Sequence, residues 1–445
     1  MRSSFSGRLW YVMAVVASAI GLGIIWRFPY LAAKYGGGIF IIVYLILMIT
    51  FGYVLVLSET SIGRMTKKSP VGAFTAFGRG IGYKFGGWIN AIVPMIIVPY
   101  YSVIGGWVAR YLYGYLRGDS VEMAGDVYFG AQISSSFDAS MWFILFVIGT
   151  FVVIIAGVRK GIERLNKVMM PMLLILGIFI SVYSVTRPGA LEGVKYMLIP
   201  DFANFTIKTV VAAMGQLFFS LSLAMGILYT YGSYIDRSVD MEKTTKQIEV
   251  LDFTIAMLAG FMIIPAVFAF SGGDPNVLTA GPSLMFITMP KVFHSMAGGG
   301  IIGTAFFLLV LIAALTSAIS LLETCVSTVQ DQSGWSRGKS IVVMFFVVIL
   351  LGIPTCLGFG VWDMVTVAGM GLLDFFDFLS NSIMMPIAAL CTCILVIKGI
   401  GMDKMVEEIK FSSAFKWEKL YRFCIRFLAP VTLVIILLSA IFIKF

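Results

Sequence analysis

Long runs of apolar residues constrain the fold of this chain more than any other feature. A run of about 20 such residues is long enough to cross the hydrocarbon core of a bilayer as a helix. Eleven runs of this kind are centred near Val16, Leu47, Val103, Val147, Leu174, Leu221, Leu258, Val310, Val347, Met384 and Ile435. They are continuous rather than alternating, so helices are predicted and not the strands of a barrel. Only 12% of the residues are charged, whereas soluble domains have about a quarter. We therefore expect an all-α polytopic membrane protein with 11 transmembrane helices and the lipid bilayer as a partner.

The basic residues predict the orientation of these spans. Lysine and arginine cluster in alternate connections, for example at Lys67 and Lys68 and at Arg159 and Lys160. The positive-inside rule then predicts a cytoplasmic N-terminus and, with eleven spans, an extracytoplasmic C-terminus, in the inner (plasma) membrane. The first apolar segment is too long and too interrupted for a cleaved signal peptide. These loops account for the net charge of +9, so no nucleic-acid partner is expected.

Two spans are interrupted, the first across residues 19–23 and the sixth across residues 220–226, where glycine and serine replace helix-forming residues. Each half of the first ten spans holds five helices, an odd number, so the second half runs inverted relative to the first. Interrupted helices at matching places in inverted halves point to a binding site near the bilayer midplane. Unwound main chain leaves amides and carbonyls that need an ion or a solute as partner. The alternative is that the glycines only allow close helix contact or a kink.

The residues that other classes of membrane protein require are absent from this sequence. His294 is the only histidine, which excludes a two-histidine zinc site and a serine–histidine nucleophile. The run Gly338-Lys339-Ser340 lacks the upstream glycine of a phosphate loop, and no repeated filter or charge ring indicates a channel. A secondary transporter is therefore favoured over an enzyme, an ATP-driven pump or a channel.

Several short motifs resemble those of one transporter family. They are Gly-Leu-Gly at 21–23, Trp-Arg-Phe-Pro-Tyr at 26–30, three glycines at 36–38, Gly-Gln-Leu-Phe-Phe-Ser-Leu-Ser at 215–222, and Leu-Thr-Ser at 315–317. Together they resemble the neurotransmitter:sodium symporter family, in the form of a bacterial or archaeal member with eleven spans.

This resemblance implies a fold and a function. The fold is the LeuT type with five-plus-five inverted repeats, in which residues 1–445 form a single transmembrane transporter domain. The first repeat is expected at 9–186 (spans 1–5), the second at 207–398 (spans 6–10), and span 11 at 420–443. The implied function is sodium-coupled symport of a neutral amino acid by alternating access. The alternative is an amine or another amino-acid-like solute, with proton or altered coupling at the first ion site.

The resemblance also implies sodium as the coupling ion. The second sodium site would use backbone oxygens of Ala17, Ile20 and Ala313 and the hydroxyls of Thr316 and Ser317. Neutral oxygens suit a hard cation. The alternative is that the two hydroxyls only bond back to the preceding helical turn.

The first sodium site departs from the family pattern. Its expected ligands are the Ala19 carbonyl, Ser220 and Asp252, while Ile24 stands where the family has an asparagine. Three accounts remain open for Asp252: it strengthens a sodium site that has lost a ligand, it carries a proton instead, or it is hydrated near the cytoplasmic end. An ionised carboxylate at membrane depth is costly and needs one of these partners.

Chloride is not expected as a cofactor. Chloride-dependent relatives surround the anion with groups that correspond here to Tyr44, Gln216 and Ser220. Ala256, however, stands where the decisive serine would be, and the charge of Asp252 would serve in place of the anion.

The same correspondence places the substrate. The amides of Leu22 and Gly23 begin a half-helix, whose positive end suits a carboxylate. Gly21 favours an amino acid, because amine-carrying relatives have an aspartate there. The remaining substrate-binding residues are expected to be Ser18, Ala19, Ile97, Tyr101, Phe219, Ser220, Ser222, Met225, Ser317 and Leu321. Most of these walls are apolar and none is charged, which suits a neutral side chain.

Charged residues within or beside the spans are interpreted as gates. We expect an outer pair between Arg27 and Asp377, and an inner pair between Arg2 and Asp331. Glu59 is expected to brace the unwound segments. The alternative for each charge is a structural or snorkelling role.

Overall fold

The computed structural model describes residues 5–274, 277–278 and 281–442, with side chains described as far as Ser439. Arg2 therefore lies outside the described residues. The described chain is helical throughout, with isolated β-bridges such as Gly37 to Pro200 and no named strand.

The helices follow one another with short connections, and several contain a π-helical turn, such as Met48–Gly52. They are α1 Arg8–Ala19, α2 Gly23–Lys34, α3 Gly38–Thr66, α4 Pro70–Thr75, α5 Ile81–Arg117, α6 Ser136–Ile155, α7 Val158–Val185, α8 Ala190–Leu198, α9 Ile207–Ser220, α10 Ile227–Gly232, α11 Met241–Ser271, α12 Gly299–Ser333, α13 Arg337–Leu357, α14 Leu372–Ile400, α15 Met402–Lys410 and α16 Glu418–Ser439. Short helices such as Ser120–Met123, Tyr128–Ser134 and Met289–His294 lie in the predicted outer loops.

Nine of the described helices are long and apolar enough to cross a membrane, and α1 with α2 forms a tenth span that is bent by 59°. The polytopic all-α prediction is therefore confirmed. The remaining expected span coincides with α9, which has 14 residues, and α10, which has six. Neither half is long enough alone, so the count of eleven stays a prediction at this broken segment.

The first break lies between α1 and α2. Ile20 leaves the helical region with φ −76° and ψ 79°, although its N–H still donates to the Val16 carbonyl. Glycine is required at position 21 because neighbouring side chains lie too close for a Cβ, and not because of its backbone angles. A Cβ there would lie 2.8 Å from both Tyr101 Oη and Ser317 Oγ.

The second break lies between α9 and α10. Ser222 and Ala224 have φ of 52° and 58°, a left-handed conformation that costs non-glycine residues about 1–2 kcal/mol each. The N–H of Ala224 donates to Glu59 Oε1 at 3.0 Å, and Glu59 is fully buried. Glu59 therefore braces the unwound segment, as the sequence predicts.

Glycines hold the half-helix α10 against α3. A Cβ on Gly63 of α3 would lie 2.2 Å from the Tyr229 carbonyl oxygen, and one on Gly232 of α10 would lie 2.4 Å from the Thr60 carbonyl oxygen. The two backbones therefore touch directly, as small residues permit between membrane helices. This contact fixes the position of α10 relative to α3.

Candidate functional site

The two breaks face each other across a small central cavity of about 30 Å³. Its lining residues are Ser18, Ala19, Gly21, Gly23, Ile97, Tyr101, Phe219, Ser222, Met225, Ile227, Ser317 and Leu321. All of them except Ile227 belong to the predicted substrate site.

Two positions differ from the sequence-based assignment. Ile227 lines the cavity because it is the first residue of α10, directly after the unwound segment. Its position after the break is the only signal that sequence reasoning had for it. Ser220 turns away from the cavity towards Tyr44 and Asp252, whereas Leu22 contributes its main-chain N–H, as the sequence analysis expected.

The polar groups of the cavity come from the two breaks and from α12. The N–H of Leu22 donates to Tyr101 Oη at 3.1 Å, so an amide and a hydroxyl meet at the start of α2. Ser18 Oγ lies 3.3 Å from Ser222 Oγ, which joins the two unwound segments. None of the described residues that line the cavity is charged. This arrangement offers hydrogen bonds to a carboxylate and an amine, and apolar contact to a side chain.

The residues of the predicted second sodium site meet where α1 ends against α12. Ser317 Oγ donates to the Ser18 carbonyl oxygen at 3.0 Å, which joins the two helices. Thr316 Oγ1 lies 3.1 Å from the carbonyl oxygens of Ile312 and Ala313, the back-bonded arrangement that was the alternative. Ala17 and Ile20 are fully buried beside them. Buried neutral oxygens are thus assembled here without a carboxylate.

Asp252 lies behind the α9 break and is fully buried. Its Oδ2 accepts from Ser220 Oγ at 2.5 Å, and Tyr44 Oη lies 3.2 Å from Oδ2 and 2.5 Å from Ser220 Oγ. Its other oxygen, Oδ1, has no hydrogen-bond partner in the described part of the chain. The expectation that Asp252 is hydrated near the cytoplasmic end is therefore wrong, since helix packing shields it completely. The sodium and proton accounts remain open.

The groups expected around a chloride ion are partly assembled about this carboxylate. Tyr44 and Ser220 contact Asp252, whereas Gln216 Nε2 donates instead to the Gly23 carbonyl oxygen at 3.1 Å. Ala256 is buried one turn further along α11. A carboxylate thus stands among the groups that would hold the anion.

On the predicted outer side, the gate is not a direct ion pair. The Arg27 guanidinium lies over the Phe219 ring, 5.0 Å from its centroid. Asp377 accepts from Tyr100 Oη at 3.2 Å and from the side-chain amide of Asn381. In this conformation the described residues show no direct Arg27–Asp377 ion pair, because an aromatic face and an amide contact the two charges, and the outer gate stays a prediction.

Phe219 separates the central cavity from a larger one. The larger cavity has a volume of about 400 Å³, and Arg27, Phe219 and Asn381 are among its lining residues. Phe219 lines both cavities and therefore forms part of the wall between them. Movement of this side chain would join the two volumes.

The predicted inner side is closed by an aromatic cluster. The Phe5 ring lies 5.6 Å from that of Tyr231 and 6.1 Å from that of Tyr234, and the Phe5 N–H donates to the Tyr234 carbonyl oxygen at 3.3 Å. Asp331 Oδ2 accepts from the Ser69 N–H at 2.8 Å. The expected Arg2–Asp331 pair lies outside the described residues.

A charged pair that the sequence analysis missed lies close to this cluster. Glu323 is fully buried, pairs with Arg337 at 2.6 Å, and accepts from Tyr234 Oη at 2.8 Å. A glutamate in an apolar span is itself a signal, because a charge at that depth needs a partner. The partner could not be predicted, since Arg337 belongs to the next helix.

Comparison with known proteins covers almost the whole chain. The family model described as "Sodium:neurotransmitter symporter family" matches residues 2–121 and 127–445. The chain is 34% identical to an "Uncharacterized sodium-dependent transporter" of Haemophilus influenzae, over 99% of this chain and 98% of that protein. It is also 34% identical to a sodium-dependent transporter of Bacillus subtilis, over 98% and 97%. The crystal structure of MhsT in complex with L-phenylalanine matches with a TM-score of 0.89 and 36% identity, over 99% of this chain and 100% of that one.

Proposed function

Since this chain belongs to the sodium:neurotransmitter symporter family, whose members are transporters and not enzymes, we propose that it imports a neutral amino acid together with sodium. The resemblance seen in the motifs is confirmed by the family match, and the LeuT-type fold by the similarity to MhsT. The two inverted repeats, 9–186 and 207–398, followed by span 11 at 420–443, are part of the proposal.

The central cavity between the two breaks is the observation that carries the substrate assignment. Its amide and hydroxyl at Leu22 and Tyr101 suit a carboxylate, and the carbonyls of the unwound segments suit an ammonium group. The walls of Ile97, Met225 and Ile227 are apolar, and the lining that the structure describes includes no charged side chain. An apolar amino acid fits this chemistry, and the related MhsT was solved with L-phenylalanine.

Sodium is proposed to bind at the second site, with the carbonyls of Ala17, Ile20 and Ala313 and the hydroxyls of Thr316 and Ser317. The burial of these groups at the α1–α12 contact supports this assignment. In this assignment Ser317 belongs both to the ion site and to the substrate cavity, so that binding of either would order the break that both share.

The first ion site is proposed to form around Asp252, with Ser220 and the Ala19 carbonyl. The unpartnered Oδ1 of Asp252 favours a cation or a proton as its missing partner. Chloride is not required in this proposal, because the carboxylate already lies against Tyr44 and Ser220.

Alternating access is proposed to work through the two closures. Phe219 and Arg27 would open the outer side, and the Phe5 cluster would open the inner side, with a cytoplasmic N-terminus and an extracytoplasmic C-terminus in the plasma membrane. An amine substrate is the alternative, but the close contacts around Gly21 leave no room for a carboxylate side chain there.

Uptake into proteoliposomes tests the proposal. Labelled neutral amino acids should accumulate when sodium is outside, and replacement of sodium by choline should abolish accumulation. Counterflow should persist without a gradient, which distinguishes a carrier from a channel. Uptake that continues unchanged in choline would overturn sodium coupling, and accumulation driven by a pH gradient alone would favour the proton alternative at Asp252.

A further inference from the structure

A second cavity, of about 690 Å³, opens on the side of the bundle where α1 and α11 begin. We call it the α1–α11 groove. Among the residues that line it are Leu9, Val12, Lys243, Lys246, Val250 and Lys416. It shares no lining residue with the central cavity, so the transport site does not account for it.

One half of the groove is apolar and open to the surroundings. Leu9 is 55% exposed and Val250 is 65% exposed, and they belong to the two helices that form its walls. Because α1 and α11 cross the membrane, apolar residues exposed near their ends face acyl chains rather than water.

The other half of the groove carries cations without carboxylate partners. Lys243 and Lys416 are exposed, and neither forms an ion pair with any residue that the structure describes. Arg8, which lies beside the groove, donates to the neutral oxygens of Thr244 and Gln247. Among the described residues that line this half, Asp240 is the only carboxylate without an ion pair, and it caps α11 by accepting from the Lys243 N–H at 2.9 Å. This half of the groove therefore has more basic groups without an ion pair than acidic ones.

A buried glutamate holds together the segments that form the groove. Glu242 is 4% exposed, pairs with Lys246 at 2.5 Å, and accepts from the Lys416 N–H at 2.6 Å. Lys246 also lies over the Trp417 ring, 3.8 Å from its centroid. These contacts fasten the segment before α16 to α11, so the basic half is held next to the apolar half.

We propose that the α1–α11 groove binds one anionic phospholipid, with its phosphate between Lys243 and Lys416 and an acyl chain along Leu9 and Val250. A basic pocket between membrane helices is the arrangement that recognises anionic headgroups. A free phosphate would use the cations only and would leave the apolar half to other lipids, whereas one anionic phospholipid contacts both halves of the groove.

The test uses full-length protein that has been delipidated in detergent and titrated with phosphatidylglycerol, with bound lipid counted by native mass spectrometry. Each lysine near an anionic headgroup contributes roughly a fivefold gain in affinity, so Lys243→Gln with Lys416→Gln should weaken binding about 25-fold. The matched control is Lys404→Gln with Lys419→Gln, two exposed lysines of neighbouring segments that do not line the groove. The control should bind as the wild type does.

Further titrations identify the ligand. Phosphatidylcholine should bind at least tenfold more weakly than phosphatidylglycerol, and glycerol 1-phosphate at millimolar concentration should not displace the lipid. Leu9→Ser with Val250→Ser should also weaken binding. Equal affinity of the wild type and the double lysine variant, equal affinity for the two lipids, or displacement by glycerol phosphate would each overturn the proposal.

Discussion

Gly21→Ala adds one methyl group at the point where α1 and α2 are broken. Gly21 does not have a positive φ, so alanine introduces no backbone strain, and the effect is steric. The new Cβ would lie 2.8 Å from Tyr101 Oη and from Ser317 Oγ, well inside ordinary contact distance. Both oxygens are fixed, Tyr101 by the Leu22 N–H at 3.1 Å and Ser317 by the Ser18 carbonyl at 3.0 Å.

The methyl group can be admitted only if one of these hydrogen bonds breaks. A buried polar group left without its partner costs about 1–3 kcal/mol, which corresponds to roughly 5- to 150-fold in affinity. The lost groups are those proposed to bind the substrate carboxylate and sodium. We therefore expect Gly21→Ala to weaken binding of both by a factor within this range.

The assay is equilibrium binding of a labelled neutral amino acid to purified protein, measured across a sodium titration. Gly23→Ala provides a graded comparison, because its Cβ would lie 3.3 Å from the Phe219 ring and should weaken binding less. Gly149→Ala is the matched control, since its Cβ would meet only Leu315, at 4.0 Å. Binding by Gly21→Ala that equals that of the wild type would refute the placement of the site.

Three further predictions concern buried charges. Uptake by the wild type should be unchanged when chloride is replaced by gluconate. Asp252→Asn removes the charge beside Tyr44 and Ser220, so the uptake rate of this variant should fall at least tenfold in chloride-free buffer. Equal uptake by the variant in both buffers would contradict this role. Glu59→Ala removes the acceptor of the Ala224 N–H and should lower the free energy of unfolding by about 1–3 kcal/mol in thermal denaturation. The exposed control Glu192→Ala should change the free energy of unfolding by less than about 0.5 kcal/mol. Similar shifts in the two variants would refute the bracing role. Arg64→Met breaks the buried pair with Glu408 at 2.8 Å and a bond to the Val239 carbonyl, and this should cost about 3–5 kcal/mol. Arg64→Met with Glu408→Met should restore much of that stability. A double variant no more stable than the single one would show that the unpaired charge is not the cause.

The sequence by itself determined the class of this protein and the location of its breaks. Long apolar runs permit only membrane helices, because main-chain polar groups must pair within the segment. The loss of helix formers around Gly21 and Ser222 predicted where that pairing fails. These are local properties of the chain, so they could be read without knowing which helices are neighbours. The same holds for most residues of the central cavity, which lie next to the two breaks or carry family motifs.

Only the tertiary structure decided which partner each buried polar group has. Asp252 was recognisable as a costly charge, but its complete burial against Tyr44 and Ser220 depends on how α3, α9 and α11 pack. Arg27 likewise lies over an aromatic ring instead of the expected carboxylate. The energy of a buried charge depends on atoms within a few ångströms, and these atoms come from helices that are distant in the sequence. A charge in an apolar span therefore shows that a partner exists, while the packing of the helices selects it.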